Sequence, residues 1–407
     1  MPQQTCPYRF PLPRVPAAEP PAAYAEFRAR NPVVPVVMPS GDTAYLITRY
    51  EDARLVLTDP RYSRRLELAG LELGTIGLAE HLLLSTLSNM DRPEHTRLRR
   101  AVAPEFTTER VERLAPRMQE VTDQFLSRIT AMQPPIDLMT TLCDRLPAAI
   151  LLTYLGIPFD DTDDLLHWTK VLTDLSGHTQ QEVDEARAAL HTHLKGVIQE
   201  RLRNPGDDVL TALAQRCHTD RRISELELEA LVMFLLIGGL HTVVYQLGLC
   251  VVALLRDPDR IPELVAAADP GPAVEELLRY TNAVESSLLR ITTEDVVVAG
   301  VPIPAGSPVL SAIPSANRDP RRFPHPDTLD FHRPDTAHLT FGVGMHRCLG
   351  APISRLMLAI ALPAVFRRLP HLRLAVPESE LRWRPDRLLT GYESISVTWG
   401  EPTRISE

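Results

Sequence analysis

The 407-residue sequence lacks most features of nucleic-acid-binding and metal-cluster proteins. Only 5% of its residues are aromatic, and the formal net charge of −9 comes without a basic stripe, which argues against a surface for nucleic acids. The five cysteines are scattered and form no C-x-x-C pair: Cys6, Cys143, Cys217, Cys250 and Cys348. This spacing does not suit a zinc site, and an odd number of cysteines in a long chain predicts a reducing compartment.

The sequence also lacks segments typical of secreted, membrane and dinucleotide-binding proteins. Residues 1–28 are rich in proline and charge and contain no apolar core of the signal-peptide type. Residues 230–255 are long enough to span a bilayer, but Gly238, His241 and Gln246 interrupt the run. We expect a buried central helix there and no membrane association. No G-x-G-x-x-G follows a strand pattern, so we expect no fused flavin or nicotinamide domain.

The composition favours one large domain over residues 1–407. Hydrophobic residues make up 44% of the chain, and the 37 prolines are spread along it rather than gathered in a linker. Residues 111–216 and 225–255 have helical patterns, whereas residues 33–48 and 293–306 predict β-hairpins. Residues 62–89 are apolar but irregular, because Gly70, Gly74 and Gly77 interrupt any long helix.

One cysteine lies in a glycine-rich segment, Phe341 to Gly350, directly before an apolar helical run. Gly342 and Gly344 permit a tight turn with positive φ, and Gly350 allows a flat ligand to approach the backbone closely. Cys348 would lie just before the helix N-terminus, where free N–H groups lower the pKa of a thiol. Such a thiolate is suited to bind iron as an axial ligand. The alternatives are a buried structural cysteine and a nucleophile with His346 as its base.

Three further segments place polar side chains at helical spacing. His95 and Arg99 share a helix face, which by itself is typical of a solvated surface. Thr242 can donate its hydroxyl to the carbonyl of Gly238, four residues earlier, and so opens room beside the helix. A histidine at the preceding position, 241, is usually a hydrogen-bonded core residue. Glu276 and Arg279 form an i,i+3 pair, which spacing alone would place on the surface.

Together these segments resemble the motifs of the cytochrome P-450 family. The cysteine segment matches the pattern FxxGx(H/R)xCxG at all its fixed positions: Phe341, Gly344, His346, Cys348 and Gly350. The family's DxPxHxxxR, (A/G)Gx(D/E)T and ExxR motifs occur in the same order, starting at residues 91, 238 and 276. Only His241 departs from them, because it stands where the family has an acid. In this family a Cys thiolate holds the haem iron and pushes electron density toward O–O cleavage.

The resemblance implies a mostly helical fold with a small β-rich lobe, the cytochrome P-450 fold, and a haem b whose axial ligand is the Cys348 thiolate. It also implies roles for other residues. The residues that bind the haem are expected to be His95, Arg99, Arg290, Phe341, His346, Cys348 and Gly350. The structural ion-pair network is expected to comprise Glu276, Arg279 and Arg333. Thr242 and His241 are the expected catalytic residues for proton delivery. The side chains expected at the substrate are Leu240, His241, Glu285 and Leu288, beneath a roof formed by residues 62–89.

The activity that the resemblance implies is that of a monooxygenase. It would use O2 and electrons that come ultimately from NAD(P)H through a separate ferredoxin reductase and ferredoxin. The ferredoxin would dock near arginines such as Arg97, Arg100 and Arg347. The expected substrate is a small apolar or heterocyclic metabolite, in secondary-metabolite tailoring, and we expect a cytoplasmic monomer. Oxidative coupling or ring formation without oxygen insertion is the alternative reaction, and a non-catalytic haem-binding protein is the alternative outside enzymes.

Overall fold

The computed structural model describes residues 8–14, 19–69, 86–158, 162–173, 178–384 and 389–400. Helices make up most of the regular structure in these residues. Their bounds are α1 (Ala23–Arg30), α2 (Tyr50–Thr58), α3 (Glu94–Val102), α4 (Thr108–Glu112), α5 (Ala115–Thr130), α6 (Arg145–Leu155), α7 (Thr162–Thr173), α8 (Gln180–Arg203), α9 (Val209–His218), α10 (Glu225–Arg256), α11 (Arg260–Ala266), α12 (Gly271–Tyr280), α13 (Ile313–Ala316) and α14 (Ala351–Arg368).

Short strands form three small sheets. The strands are β1 (Val33–Val37), β2 (Thr43–Ile47), β3 (Tyr62–Ser63), β4 (Ile136–Asp137), β5 (Arg290–Thr292), β6 (Val296–Val298), β7 (Val301–Ile303), β8 (Pro308–Ser311), β9 (Arg373–Leu374) and β10 (Ser396–Thr398). The largest sheet has the order β1-β2-β8-β5-β3, and the others are β4-β10-β9 and the β6-β7 hairpin. In the largest sheet only β2 and β8 pair in parallel, with Tyr45 opposite Val309.

The five-stranded sheet is covered on both faces. Successive side chains of a strand point to opposite faces, and on β2 Leu46 belongs to one apolar cluster whereas Ile47 belongs to another. Phe27 of α1 packs in the first cluster, and Phe323 packs in the second. Burial on both faces explains why β1 and β2 contain so many apolar residues.

Helix α10 runs through the large helical core. It begins with a capping box, in which Ser224 and Glu227 each bond the backbone N–H of the other residue. Of its 32 residues, 19 are buried. Among the described residues it is the helix that could cross a bilayer by length and composition, but 56% of its apolar window is buried inside the protein. The prediction of a buried central helix is therefore confirmed.

Most of the predicted elements are confirmed. Both hairpins form, since β1 pairs with β2 and β6 with β7, and the helix after the cysteine segment is α14. The mostly helical fold with a small β-rich part agrees with the expected fold class. Residues 70–85 of the expected roof, with their three glycines, lie outside the described residues.

Candidate active site

A cavity of about 350 Å³ lies between α10, α3, the segment before β5 and the cysteine segment. Most of the predicted site residues line it, although they are far apart in the sequence. Those that line the cavity are His95, Arg99, Thr242, Leu288, Arg290, Phe341, His346, Cys348 and Gly350. Three residues predicted for catalysis or substrate contact do not line it: Leu240, His241 and Glu285. The predicted ion-pair residues also lie outside it: Glu276, Arg279 and Arg333.

The cysteine segment forms the tight turn that its glycines predict. Gly342 has φ of 63° and Gly344 has φ of 80°. At Gly344 a Cβ atom would also come within 3.0 Å of the carbonyl oxygen of Leu57, so both backbone conformation and space require glycine there. The N–H of Cys348 donates to the carbonyl of Phe341 at 2.8 Å and closes the turn. This turn presents the sulfur of Cys348 to the cavity.

The free thiol of Cys348 is harder to ionise than the sequence suggested. Its side chain is accessible from the cavity, but the apolar surroundings desolvate the sulfur and raise its pKa. The N–H groups of Gly350 and Ala351, at the start of α14, act in the opposite direction, as does Arg99. The expectation of a lowered pKa is thus wrong for the free thiol, because desolvation outweighs the helix terminus. A metal cation bound at the sulfur would favour the thiolate.

Cations without anionic partners form another wall of the cavity. Arg99 makes no hydrogen bond or ion pair within the part of the chain that the structure describes, and the Nε of Arg290 also has no partner there. Arg290 donates only to the carbonyls of Tyr62 and Leu57, at 3.0 and 3.3 Å. Burial and the charge of Arg64 lower the pKa of Arg290 to about 9. A buried guanidinium with this environment is stabilised when an anion binds.

Two histidine rings lie beside these arginines. His95 and His346 have ring centroids 4.3 Å apart, and within the described residues both nitrogens of His95 and Nε2 of His346 lack hydrogen-bond partners. Burial and Arg99 lower the pKa of His95 to about 4, and burial and Arg290 lower that of His346 to about 2. Both rings are therefore neutral, with N–H groups that can donate to an anion.

These residues fit a haem. The sulfur of Cys348 faces the cavity, the cations and the histidines offer donors for two carboxylates, and no Asp or Glu of the described chain lines the cavity. A Cβ at Gly350 would fill space 4.0 Å from that sulfur. Within the described residues no group of three or more His, Cys, Asp and Glu could hold a bare metal ion. Iron with a single protein ligand requires a ring that supplies the other ligands.

The ion-pair network of Glu276, Arg279 and Arg333 is buried rather than on the surface. Glu276 and Arg279 are both 0% exposed. The carboxylate of Glu276 accepts two bonds of 2.7 Å from Arg279 and bonds of 3.0 and 3.1 Å from the Nε of Arg333. Arg279 also donates to the carbonyls of Asn317 and Pro326. The network therefore ties α12 to the chain that leads into the cysteine segment.

Thr242 is the hydroxyl group that α10 presents to the cavity. It donates to the carbonyl of Gly238 at 3.0 Å, as its sequence position predicts, and its oxygen remains able to accept a hydrogen bond. Gly238 and Gly239 line the cavity beside it. The absence of side chains at these two positions leaves room for a small molecule next to the hydroxyl.

His241 faces away from the cavity. Its side chain is buried, and its Nε2 lies 3.0 Å from the hydroxyl oxygen of Thr169 on α7. Thr169 donates its own hydrogen to the carbonyl of Leu165 at 2.5 Å, so its oxygen accepts the hydrogen of Nε2. The expectation that His241 contacts the substrate is corrected, because this ring links the central helix to α7 instead.

We expect Thr169→Val to lower the free energy of unfolding by about 1 kcal/mol, because it removes the hydroxyl oxygen that lies 3.0 Å from the buried Nε2 of His241. Adding His241→Phe should then cost less than it does in the wild-type protein, since the hydrogen bond between the two side chains is already lost. Thermal unfolding of the two single variants and the double variant forms a double-mutant cycle. Strictly additive changes would contradict the link between these two side chains.

Glu285 and Leu240 also differ from their predicted roles. Glu285 is fully buried, and its carboxylate accepts bonds from Arg14, including one of 3.0 Å from Nε, and from the hydroxyl of Tyr24 at 2.7 Å. It therefore fixes the N-terminal segment to the strand region and is not available to a substrate. Leu240 is 1% exposed and packs in the helical core. Leu288, by contrast, lines the cavity, and its contact with a substrate stays a prediction.

Several residues of the cavity were not predicted from the sequence. Ser286 and Ser287 line it beside Leu288, and hydroxyls in a loop before a strand give no sequence signal. Arg64 lines it too and is 1% exposed. Its position within Ser63-Arg64-Arg65 is typical of a surface turn, and only its packing shows otherwise.

Comparison with known proteins identifies the class of enzyme. A family model described as Cytochrome P450 matches residues 272–391. Nocardicin C N-oxygenase of Nocardia uniformis subsp. tsuyamanensis is 38% identical over 383 residues, which cover 92% of this chain and 94% of that protein. Mycinamicin IV hydroxylase/epoxidase of Micromonospora griseorubida is 36% identical over 378 residues, with 92% and 94% covered. The crystal structure of SgvP, involved in the tailoring step of griseoviridin, has a TM-score of 0.90 at 37% identity, covering 96% of this chain and 99% of that one.

The chain therefore belongs to the cytochrome P450 family. It is a haem-thiolate monooxygenase, an oxidoreductase similar to bacterial P450 oxygenases and hydroxylases. Its cofactor is haem with a cysteine thiolate on the iron, its co-substrate is O2, and its electrons come from NAD(P)H through redox partners. Its substrate is a small molecule.

Proposed function

We propose that this monooxygenase inserts one oxygen atom into a small, largely apolar and uncharged metabolite that binds between α10 and the segment before β5. The observation that carries the proposal is the division of the cavity into two parts. Arg64, Arg99 and Arg290 lie in the part that we assign to the haem carboxylates, and Arg347 lies on the cysteine segment. The other described lining is apolar with a few neutral hydroxyls. A charged substrate would lose its hydration there without gaining a partner.

The apolar part of the cavity supports this substrate class. Its side chains come from α6, α10 and the segments around β5 and residue 389, and include Ile150, Leu151, Phe234, Leu235, Val284, Leu288 and Leu389. Burying apolar surface against them contributes about 25 cal/mol per Å². Ser88, Ser286 and Ser287 can orient a hydroxyl, ether or heteroatom. The relatives named above act, by their names, on nocardicin C and mycinamicin IV, and we propose that this enzyme likewise acts in secondary-metabolite tailoring.

We propose that Cys348 holds the haem iron and that His95, Arg99, Arg290 and His346 hold the haem carboxylates. When bound, the haem would activate O2, using electrons delivered by the redox partners and protons delivered from the cavity. Thr242 lines the cavity, and its hydroxyl oxygen can accept a hydrogen bond while its hydrogen is donated to the carbonyl of Gly238. We therefore assign to it the positioning of a water molecule that relays protons along this face of α10. His241 acts through packing against α7 and is a positioning residue.

We propose a ferredoxin and its reductase as the electron donors, and a cytoplasmic, monomeric, single-domain enzyme. The docking surface is formed by Arg100 of α3 and Arg347 of the cysteine segment, both exposed. We do not include Arg97 in this docking surface, because its side chain pairs with Glu227 and donates to the carbonyl of Arg222 at 3.0 Å. Local charge of this kind speeds association with an acidic partner even when the net charge opposes it.

We expect Arg100→Glu to slow reduction by an acidic ferredoxin about tenfold at low ionic strength and to lose this effect at high salt. Stopped-flow reduction at several salt concentrations measures it. Arg30→Glu is the matched control, since Arg30 is an exposed arginine on α1, a helix that contributes no residue to the cavity. Equal rates for the two variants would contradict the docking surface.

The function is tested by a spectral binding screen followed by turnover. Metabolites that displace water from the iron are first found by their spectral shift. Each is then incubated with ferredoxin, reductase, NAD(P)H and ¹⁸O-labelled O2. A product heavier by one labelled oxygen supports the proposal. A product that has lost two hydrogens and gained no label would replace it with oxidative coupling, and preferred binding of charged metabolites would overturn the substrate class.

A further inference from the structure

Arg64 is buried beside the cavity although no motif includes it. It follows strand β3 and lines the cavity. Its Nε donates to the carbonyl of Ser88 at 2.6 Å, and its Nη1 donates to the carbonyl of Leu289. Leu289 directly precedes Arg290 in the chain. These bonds therefore hold the guanidinium of Arg64 beside the strand that carries Arg290.

The charge of Arg64 adds to a group of cations at the same wall. Arg64 is the nearby charge that lowers the pKa of Arg290 most, after burial, so the two guanidinium groups are close. Asp91 acts on Arg290 in the opposite direction, but its carboxylate is engaged by the hydroxyl of Ser63 and by the backbone N–H of Arg64. Asp91 does not line the cavity. Arg99 lines it as well, so three arginines meet at this wall.

Gathering three guanidinium groups at one desolvated cavity wall is costly unless anions bind there. Haem b has two carboxylates, and Arg99 and Arg290 are the arginines already assigned to them. We propose that Arg64 is a third guanidinium at the haem carboxylates and that its charge makes the reduction potential of this haem more positive. This inference rests on the assignment of the cavity as the haem site.

The effect on the potential follows from electrostatics. Reduction of the iron adds one negative charge to the haem, and a fixed cation in a desolvated wall favours the reduced form. Each guanidinium at the wall contributes to the positive electrostatic potential at the haem. Arg64 adds its contribution to those of Arg99 and Arg290. His95 and His346 line the same cavity and offer ring N–H donors there. A carboxylate on a substrate could pair with Arg64 in the same way as a haem carboxylate. The experiment below distinguishes these two anions.

The test compares haem-loaded variants without substrate. Arg64→Met removes the charge and keeps an apolar stem, whereas Arg64→Lys keeps the charge and loses the planar fork. Arg65→Met is the matched control, because Arg65 is the next residue, is exposed and pairs with Glu67 at 2.9 Å. Spectroelectrochemical titration gives the midpoint potential, and transfer of haem to excess apomyoglobin gives the rate of haem loss.

We expect Arg64→Met to have a more negative midpoint potential and to lose haem about tenfold faster than wild type. Arg64→Lys should keep the wild-type potential while losing haem faster, and Arg65→Met should match wild type in both measurements. Arg64→Gln is a second neutral variant that can still donate to the Ser88 carbonyl, in case Arg64→Met does not fold.

An unchanged potential in both neutral variants would overturn the proposal. So would an effect confined to the affinity for carboxylate-bearing metabolites, which would place Arg64 at the substrate. If neither neutral variant folds, an Arg64→Lys protein that loses haem at the wild-type rate overturns it. Failure of the haem assignment is distinguishable from failure of the Arg64 proposal, because the wild-type protein itself would then take up no haem.

Discussion

Cys348→Ser is expected to abolish turnover and the strongly red-shifted Soret band of the reduced carbon monoxide complex. That band requires a thiolate on the iron, and a serine hydroxyl supplies neither its charge nor its electron density for O–O cleavage. The structure gives the iron no second cysteine, since within the described residues Cys348 is the cysteine that lines the cavity. Absorption spectra of the reduced protein with carbon monoxide, together with product formation, measure the result.

Cys217→Ser is the control for Cys348→Ser. Cys217 is a buried cysteine in α9 that does not line the cavity, so this variant should keep both the band and the turnover. Cys348→His extends the comparison, because histidine binds haem iron through a neutral nitrogen. A Cys348→His protein that keeps the red-shifted band would contradict the assignment of the axial ligand.

Glu276→Ala is expected to destabilise the fold by about 3–5 kcal/mol and to yield little haem-loaded protein. Removal of this carboxylate leaves the buried guanidinium of Arg279 and the neighbouring Arg333 without an anion, and an uncompensated buried charge costs about that much. The loss is a large part of the roughly 5–15 kcal/mol that stabilises a typical domain. Denaturant unfolding and the ratio of haem to protein measure the two effects.

Glu109→Ala is the matched control, because Glu109 and Arg113 form an exposed pair at 2.9 Å. Exposed pairs contribute about 0–1 kcal/mol, so this variant should unfold and bind haem like wild type. His95→Ala is expected to fold normally and lose haem faster, since it removes one donor to the haem carboxylates. Normal haem content in Glu276→Ala would be incompatible with the buried network.

Local chemistry made the cysteine segment predictable. Gly342 and Gly344 adopt positive φ because such backbone conformations favour residues without a Cβ atom, and this preference is a property of the residue itself. The bond from Thr242 to Gly238 and the pair of Glu276 with Arg279 are also local, since both span one helical turn. Helical spacing alone therefore predicts which residues pair in these two cases.

The sequence could not give the surroundings of these same residues. Glu276 and Arg279 have the spacing of a surface pair, and only the packing of α12 against residues 317–333 buries them. The surroundings of His241 were unpredictable for the same reason. The sequence places His241 on α10, but its hydrogen-bond acceptor, Thr169, belongs to another helix. Helical periodicity determines which residues share a face, but not what that face meets.

The sequence by itself thus determined the tight turn around Cys348, the central helix and the family. Only the tertiary structure decided that Glu285 bonds to Arg14, 271 positions away, and that Arg64 joins the cations of the cavity. The physical reason is the range of the interactions. Backbone conformation and hydrogen bonds within one helical turn depend on a few neighbouring residues, whereas burial and long-range charge depend on how distant segments pack.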